Sequence, residues 1–148
     1  MPQSLAKVYL HVVFSTKHRE PLLADEWRDE LFKVLGGAAN NLECQSLLVG
    51  GVADHVHMLI QLGRTISISD AVGKIKSTSS LWINQTRGLS FHWQSGYAVF
   101  SVSQSNVVKV RDYIANQGEH HAKQMFQDEL RDLLHRHEVE WDERYLWD

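Results

Sequence analysis

The sequence predicts an α+β fold, a ferredoxin-like or RRM-like sandwich in which an antiparallel sheet carries helices on one face and further C-terminal helices follow. Three observations predict it. Four apolar segments have strand length, two long segments with helical spacing interrupt them in the order strand, helix, strand, strand, helix, strand, and a helical region follows the last strand. A chain of 148 residues without internal repeats or a Pro/Gly-rich linker is expected to form one domain spanning residues 1–148.

Residues 7–15 (KVYLHVVFS) are apolar, β-branched and aromatic, as a buried first strand requires. The chain turns through Lys17 to Pro21. Trp27, Leu31, Val34 and Leu35 then recur at helical spacing, with Ala24 or Asp25 as the start and Gly36 and Gly37 expected to weaken or end the helix. Residues 43–52 and 55–62 read as two strands joined by a tight turn at Ala53 and Asp54. Ile68, Val72, Ile75 and Trp82 mark a second helix to Arg87, and Ser67 with Asp70 resembles a capping box. Residues 97–103 alternate as a fourth strand. A third long helix, capped by Ser105 or Asn106, is expected to run through Val107, Val110, Tyr113, Ile114 and Gln117, with a bend or interruption at Gly118. Leu130, Leu133 and Leu134 continue a helical pattern. The uncovered face of such a sheet would be a platform for nucleic acid or a second subunit.

Composition narrows the function classes. Hydrophobic residues at 43% and charged residues at 22% are globular values, which excludes a disordered chain. No segment approaches the ~18 apolar residues of a membrane span, and the first residues lack a secretory core, so a cytoplasmic location is expected. The lone Cys44 reads as a small buried apolar residue. The net charge of −3 hides an asymmetry: residues 127–148 carry eight acids and three bases, while residues 64–123 carry seven bases and three acids. A basic middle suits a modest phosphate-binding face. A solvated helix surface explains the same charges.

Two local patterns carry chemistry. His55 and His57 sit two apart at the start of a strand, so their side chains share a face while Val56 and Met58 anchor the other. Converging imidazoles suit a divalent ion, although His-x-His also occurs as plain strand surface. Tyr113 and Gln117 stand four apart on a helix and share its face. Alone, Tyr113 reads as an amphipathic core residue; with the histidine pair, it supplies the nucleophile that an ion site lacks.

Asp54-His55-Val56-His57, Trp93-Gln94-Ser95-Gly96-Tyr97, and Tyr113 to Gln117 followed by Glu119, His120 and His121 together resemble the single-tyrosine HUH transposases of small bacterial insertion sequences. The likeness runs over nearly the whole chain. It implies that His55, His57 and Gln117 hold the metal and that Tyr113 is the catalytic nucleophile. It further implies cleavage and rejoining of single-stranded DNA through a 5′-phosphotyrosine, recognition of hairpin ends, and a homodimer with two cooperating sites. An amide oxygen beside two imidazoles favours Mg²⁺ or Mn²⁺ over structural Zn²⁺.

Asp54 and His120 are site-adjacent candidates. Lys74, Lys76, Ser77, Arg87 and Trp93 are candidates for gripping DNA phosphates and stacking a base, with a core position the competing reading for Trp93. His121, His135 and His137 are expected to be surface or inter-helix polar groups, His11 a satisfied sheet histidine, and His18 and His92 loop residues. Rival functions are a HUH nuclease of replication or transfer, a non-catalytic RRM-like single-strand nucleic-acid-binding module, and a metal-dependent phosphodiesterase that uses water.

Overall fold

Every residue of the first strand, β1 (Tyr9–Ser15), is buried, as expected of a strand paired on both edges and covered on both faces. Antiparallel neighbours flank it, β3 (His55–Gln61) on one side and β4 (Ala98–Val102) on the other. β2 (Gln45–Gly51) pairs with β3, giving the order β2-β3-β1-β4. The computed structural model describes residues 2–147. This is the predicted ferredoxin-like sheet.

Pleating sorts the side chains of the two central strands between two cores. Leu10, Val12, Phe14, Val56, Met58 and Ile60 face α1 (Asp25–Asn41) and α2 (Ile68–Arg87), where they pack with Leu31, Leu35, Val72 and Ile75. Capping is local and legible. The Ser67 side chain accepts from the Asp70 N–H at 3.1 Å, and Gly88 ends α2 in the left-handed region at φ 65°, open to glycine without a Cβ clash.

Helix α1 does not end at Gly36 and Gly37 but continues through them to Asn41. The gain from burying Leu31, Leu35, Ala38 and Ala39 outweighs the roughly 1 kcal/mol helix cost of each glycine. Gly36 also faces β2 closely, since a Cβ there would lie 3.2 Å from Ser46 Oγ.

The opposite face of the sheet is not open. After β4, α3 (Val107–Ala115), α4 (Gln117–His121), α5 (Phe126–Arg136) and α6 (Glu143–Leu146) follow. Val107 and Ile114 pack on Tyr9 and Leu59, and Phe126, Leu130, Leu133 and Leu134 pack on Val13 and Phe100. Helices therefore cover both faces. The long third helix of the sequence reading is broken at Asn116, whose φ of −102° and ψ of 25° separate α3 from α4, two residues before Gly118.

Gly50 sets how closely α3 approaches. A Cβ at Gly50 would lie 2.6 Å from the Ile114 carbonyl oxygen, and Gly50 pairs directly with His57. Gly50→Ala is expected to destabilise the fold by about 1–3 kcal/mol through overpacking. Gly37→Ala, where a Cβ meets nothing within 4 Å, is expected to stabilise it by up to about 1 kcal/mol. Denaturant midpoints check the pair; a Gly50→Ala midpoint at or above wild type would show that α3 does not depend on this contact.

Candidate active site

His55 and His57 lie on the face of β3 that α3, α4 and α5 cover, opposite Ser15 and Val13 of β1. Each imidazole is oriented by a partner on its Nδ1. Asp54 Oδ1 accepts from His55 Nδ1 at 2.8 Å, and His11 Nε2 lies 2.7 Å from His57 Nδ1, with those two rings stacked at 5.0 Å. Partners at Nδ1 turn both Nε2 atoms toward the helices and fix the rings, the usual role of outer groups around an ion. His11 is thus a satisfied sheet histidine, bonded to a site residue.

The helices bring four groups to this centre, Gln117 and Glu129 onto those Nε2 atoms and His121 and Tyr113 onto Glu129. Gln117 Oε1 lies 3.2 Å from His55 Nε2. Glu129, from α5, is buried with its Oε1 3.0 Å from His57 Nε2, 3.3 Å from His55 Nε2 and 3.1 Å from His121 Nε2. Its Oε2 accepts a hydrogen bond from the Tyr113 hydroxyl and another from Gln117 Nε2 at 3.3 Å. Tyr113 and Gln117 thus reach the histidine pair from either side of the break at Asn116. His121, expected as a surface or inter-helix polar group, takes the inter-helix place, joining α4 to Glu129 of α5 at this centre. His120 instead lies against the Tyr113 ring, at 4.6 Å between centroids.

The sequence reading missed Glu129. One signal existed: Phe126, Glu129, Leu130 and Leu133 share one helical face, and a carboxylate there is costly unless paired.

Burial pushes the Glu129 carboxyl up, but hydrogen bonds from His121, His55 and His57 outweigh it and hold the group far below the usual carboxylate range. Burial and the hydrogen bond to Glu129 push the Tyr113 phenol well above its ordinary value. Both shifts leave the proton on tyrosine. Burial lowers His57 to about 4 despite the carboxylate, so it is neutral at pH 7. Burial also opposes charge on His55, yet the bonds to Asp54 and Glu129 win and raise it.

Two clefts flank the cluster. One of about 460 Å³ is lined by His18, Arg19, Asp54, His121 and Phe126. The other, about 330 Å³, is lined by Lys109, Tyr113, Arg136 and His137 and opens beside the phenol. The candidates on and after α2 belong to the other side of the sheet. Arg87 pairs with Glu30 at 3.1 Å and covers Trp27 and Trp82. Lys76 donates to the carbonyls of Gln94 and Gly96 at 2.8 and 2.6 Å, and burial lowers its pKa to about 8. Trp93 takes the core position, donating to Ser79 Oγ at 2.9 Å with its ring against Phe14 and Phe91. Ser77 donates to Gly73 O at 2.9 Å, and Lys74 is exposed.

The donor chemistry fits a divalent ion. His55, His121 and Glu129 offer ligand atoms all within 4.8 Å of one another, with Gln117 Oε1 and His57 Nε2 adjoining. Imidazole and carboxylate or amide oxygen together suit a first-row divalent ion.

The family model described as "Transposase IS200 like" matches residues 4–117, which ends on Gln117. Two curated relatives, the transposases for insertion sequence element IS200 of Salmonella typhimurium strain LT2 and Salmonella typhi, are each 32% identical over 114 residues, covering 72% of this chain and 74% of the relative. A Deinococcus radiodurans R1 protein assigned as a transposase superposes with a TM-score of 0.63 at 25% identity, covering 79% of this chain and 98% of that one. A REP-associated tyrosine transposase bound to a REP hairpin gives a TM-score of 0.61 at 14% identity, covering 82% of this chain and 73% of that one, a likeness of fold. With its family match spanning most of the sequence, the chain belongs to the IS200-like transposases and is a DNA-transposing enzyme.

Proposed function

We propose that this transposase cleaves and rejoins single-stranded DNA through a 5′-phosphotyrosine on Tyr113, with a divalent ion held by His55, His57 and Gln117. The observation that carries the reading is convergence: a phenol, two imidazoles with engaged Nδ1 atoms and an amide oxygen all meet around one buried carboxylate. A non-catalytic nucleic-acid module has no use for that arrangement.

The step exchanges one phosphoester bond for another. The Tyr113 oxygen forms a bond to phosphorus, the bond from phosphorus to the 3′-oxygen breaks, and that oxygen leaves as a 3′-hydroxyl after taking a proton. In the closed site the Tyr113 hydroxyl donates to Glu129 Oε2; as the bond to phosphorus forms the phenolic proton passes to water, and the leaving 3′-oxygen takes one from water. A hydroxyl of another strand reverses the step, because the phosphodiester energy stays in the tyrosyl link. When bound, the ion would neutralise non-bridging phosphate oxygens and charge developing in the transition state. Three imidazoles in the neighbourhood favour Mn²⁺ over Mg²⁺ within that pair.

The DNA partner is read as single-stranded with hairpin ends, by analogy with the REP-associated relative bound to a REP hairpin. The basic groups Arg19, Lys109 and Arg136 line the two clefts beside the centre and suit a strand passing the phenol. Lys74, Ser77 and Arg87, on the far side of the sheet, would meet DNA away from the scissile phosphate. A homodimer with paired sites completes the reading, since each chain supplies one tyrosine at this position. Among the described residues no helix is long and apolar enough to cross a membrane.

Incubation with hairpin-flanked single-stranded DNA and Mn²⁺ is expected to give a denaturation-resistant covalent adduct that Tyr113→Phe abolishes. Free 5′-phosphate ends without an adduct would assign the chemistry to water instead. His57→Ala is expected to lower cleavage by about a hundredfold or more while DNA retention on a filter stays near wild type; undiminished cleavage would remove His57 from the ion.

A further inference from the structure

Glu129 and His121 lie beyond residue 117, where the family match ends, yet they occupy the middle of the site. We propose that both join the donor set of the ion, so that one ion ties α4 and α5 to β3 and pins the C-terminal helices over the nucleophile. The proposal rests on the metal-dependent reading above and extends it.

Spacing supports it first. Glu129 Oε1 stands 3.0, 3.1 and 3.3 Å from the Nε2 atoms of His57, His121 and His55, and His55 Nε2 stands 3.2 Å from Gln117 Oε1. Donors bound to one ion at about 2.0–2.2 Å are separated from their neighbours by about 3.0–3.5 Å. Burial supports it next. Glu129 is 2% exposed, and among the described residues its ion-pair partners are histidines, with no lysine or arginine. A buried carboxylate without a fixed positive partner is costly, and a divalent ion supplies that charge.

Access gives the arrangement a consequence. His55 and His57 are fully buried, and Gln117 is 1% exposed, so a phosphodiester cannot touch them while α5 stays in place. The carboxylate of Glu129 faces the imidazoles through Oε1, where it could hold an ion, and accepts from the Tyr113 hydroxyl through Oε2. Any movement of α5 that exposes the imidazoles to a phosphate would therefore also free the Tyr113 hydroxyl from Glu129. Phe126, stacked on His55 at 4.1 Å between centroids, would leave with the helix and clear the face of the imidazole.

The test uses the intact chain and Mn²⁺ alone. Calorimetry is expected to show Mn²⁺ binding at least about tenfold weaker in Glu129→Gln than in wild type, with His121→Asn shifted in the same direction. Hydrogen exchange of the wild type, which needs no variant to fold, is expected to slow across residues 117–136 when Mn²⁺ is added. Wild-type affinity in both variants, or exchange in 126–136 that Mn²⁺ leaves unchanged, overturns the proposal and spares the His55, His57 and Gln117 assignment. Failure of the wild type to bind Mn²⁺ overturns both.

Discussion

The pairing of β1 with β3 decides what this site is made of. Its register sets Val13 against His57, Ser15 against His55 and His11 against Leu59, so three imidazoles point to the same side of the sheet. Because side chains alternate along a strand, a slip of one residue would turn the histidines into the α1/α2 core and bring Val56 and Met58 to the site. That slip is opposed by Phe14, Val56, Met58 and Ile60, all essentially unexposed, whose burial holds the register from the opposite face. The apolar core and the polar site are thus the two faces of one ladder. Stability on one side specifies chemistry on the other.

The second constraint is proximity of α3. Gly50 on β2 lies beside His57, and its missing side chain allows the Ile114 backbone to approach the sheet. Tyr113 precedes Ile114, so the height of that helix above the strands sets the reach of the phenol. The break at Asn116 then redirects the chain, and α4 presents Gln117 and His121 to the centre from a second direction. A straight helix would align Tyr113, Gln117 and His120 along one stripe. The kink exchanges His120 for His121 at the site.

Much of this was legible from residue patterns, and the misses share a cause. Strand periodicity placed His55 and His57 on a common face, and the Ser67 cap and the four apolar segments gave the order of elements, because these depend on neighbours within a few residues. The passage of α1 through Gly36 and Gly37 depends on β2, which lies close to Gly36. The covered face, Glu129 and His121 likewise depend on where α5 docks. In the sequence, Glu129 stands among the eight acids of residues 127–148 and looks like part of a solvated acidic tail. Its neighbours behave that way: Asp128 and Glu143 pair with Arg131 at 3.1 and 2.7 Å, and Asp142 with Arg144 at 2.7 Å, all on the surface. Only the apolar residues on either side of Glu129 distinguish it from them.

That acidic segment also bears on how DNA and the C-terminal helices share the molecule. Residues 127–148 carry five more acids than bases, and Leu130, Leu133 and Leu134 among them pack on the face of the sheet on which the imidazoles lie. A polyanion approaching Arg19, Lys109 and Arg136 beside the site meets repulsion from the acidic segment, a force screened by salt beyond about 10 Å. What holds α5 down is chiefly apolar: Phe126, Leu130, Leu133 and Leu134 against Val13 and Phe100. Salt screens the repulsion and leaves the apolar contacts largely intact, so the closed arrangement gains relative stability as ionic strength rises, while the phosphate contacts that would open it grow weaker. Displacement of α5 by DNA would therefore be an electrostatic event working against apolar contacts, with the Glu129 carboxylate in the place a phosphate would take.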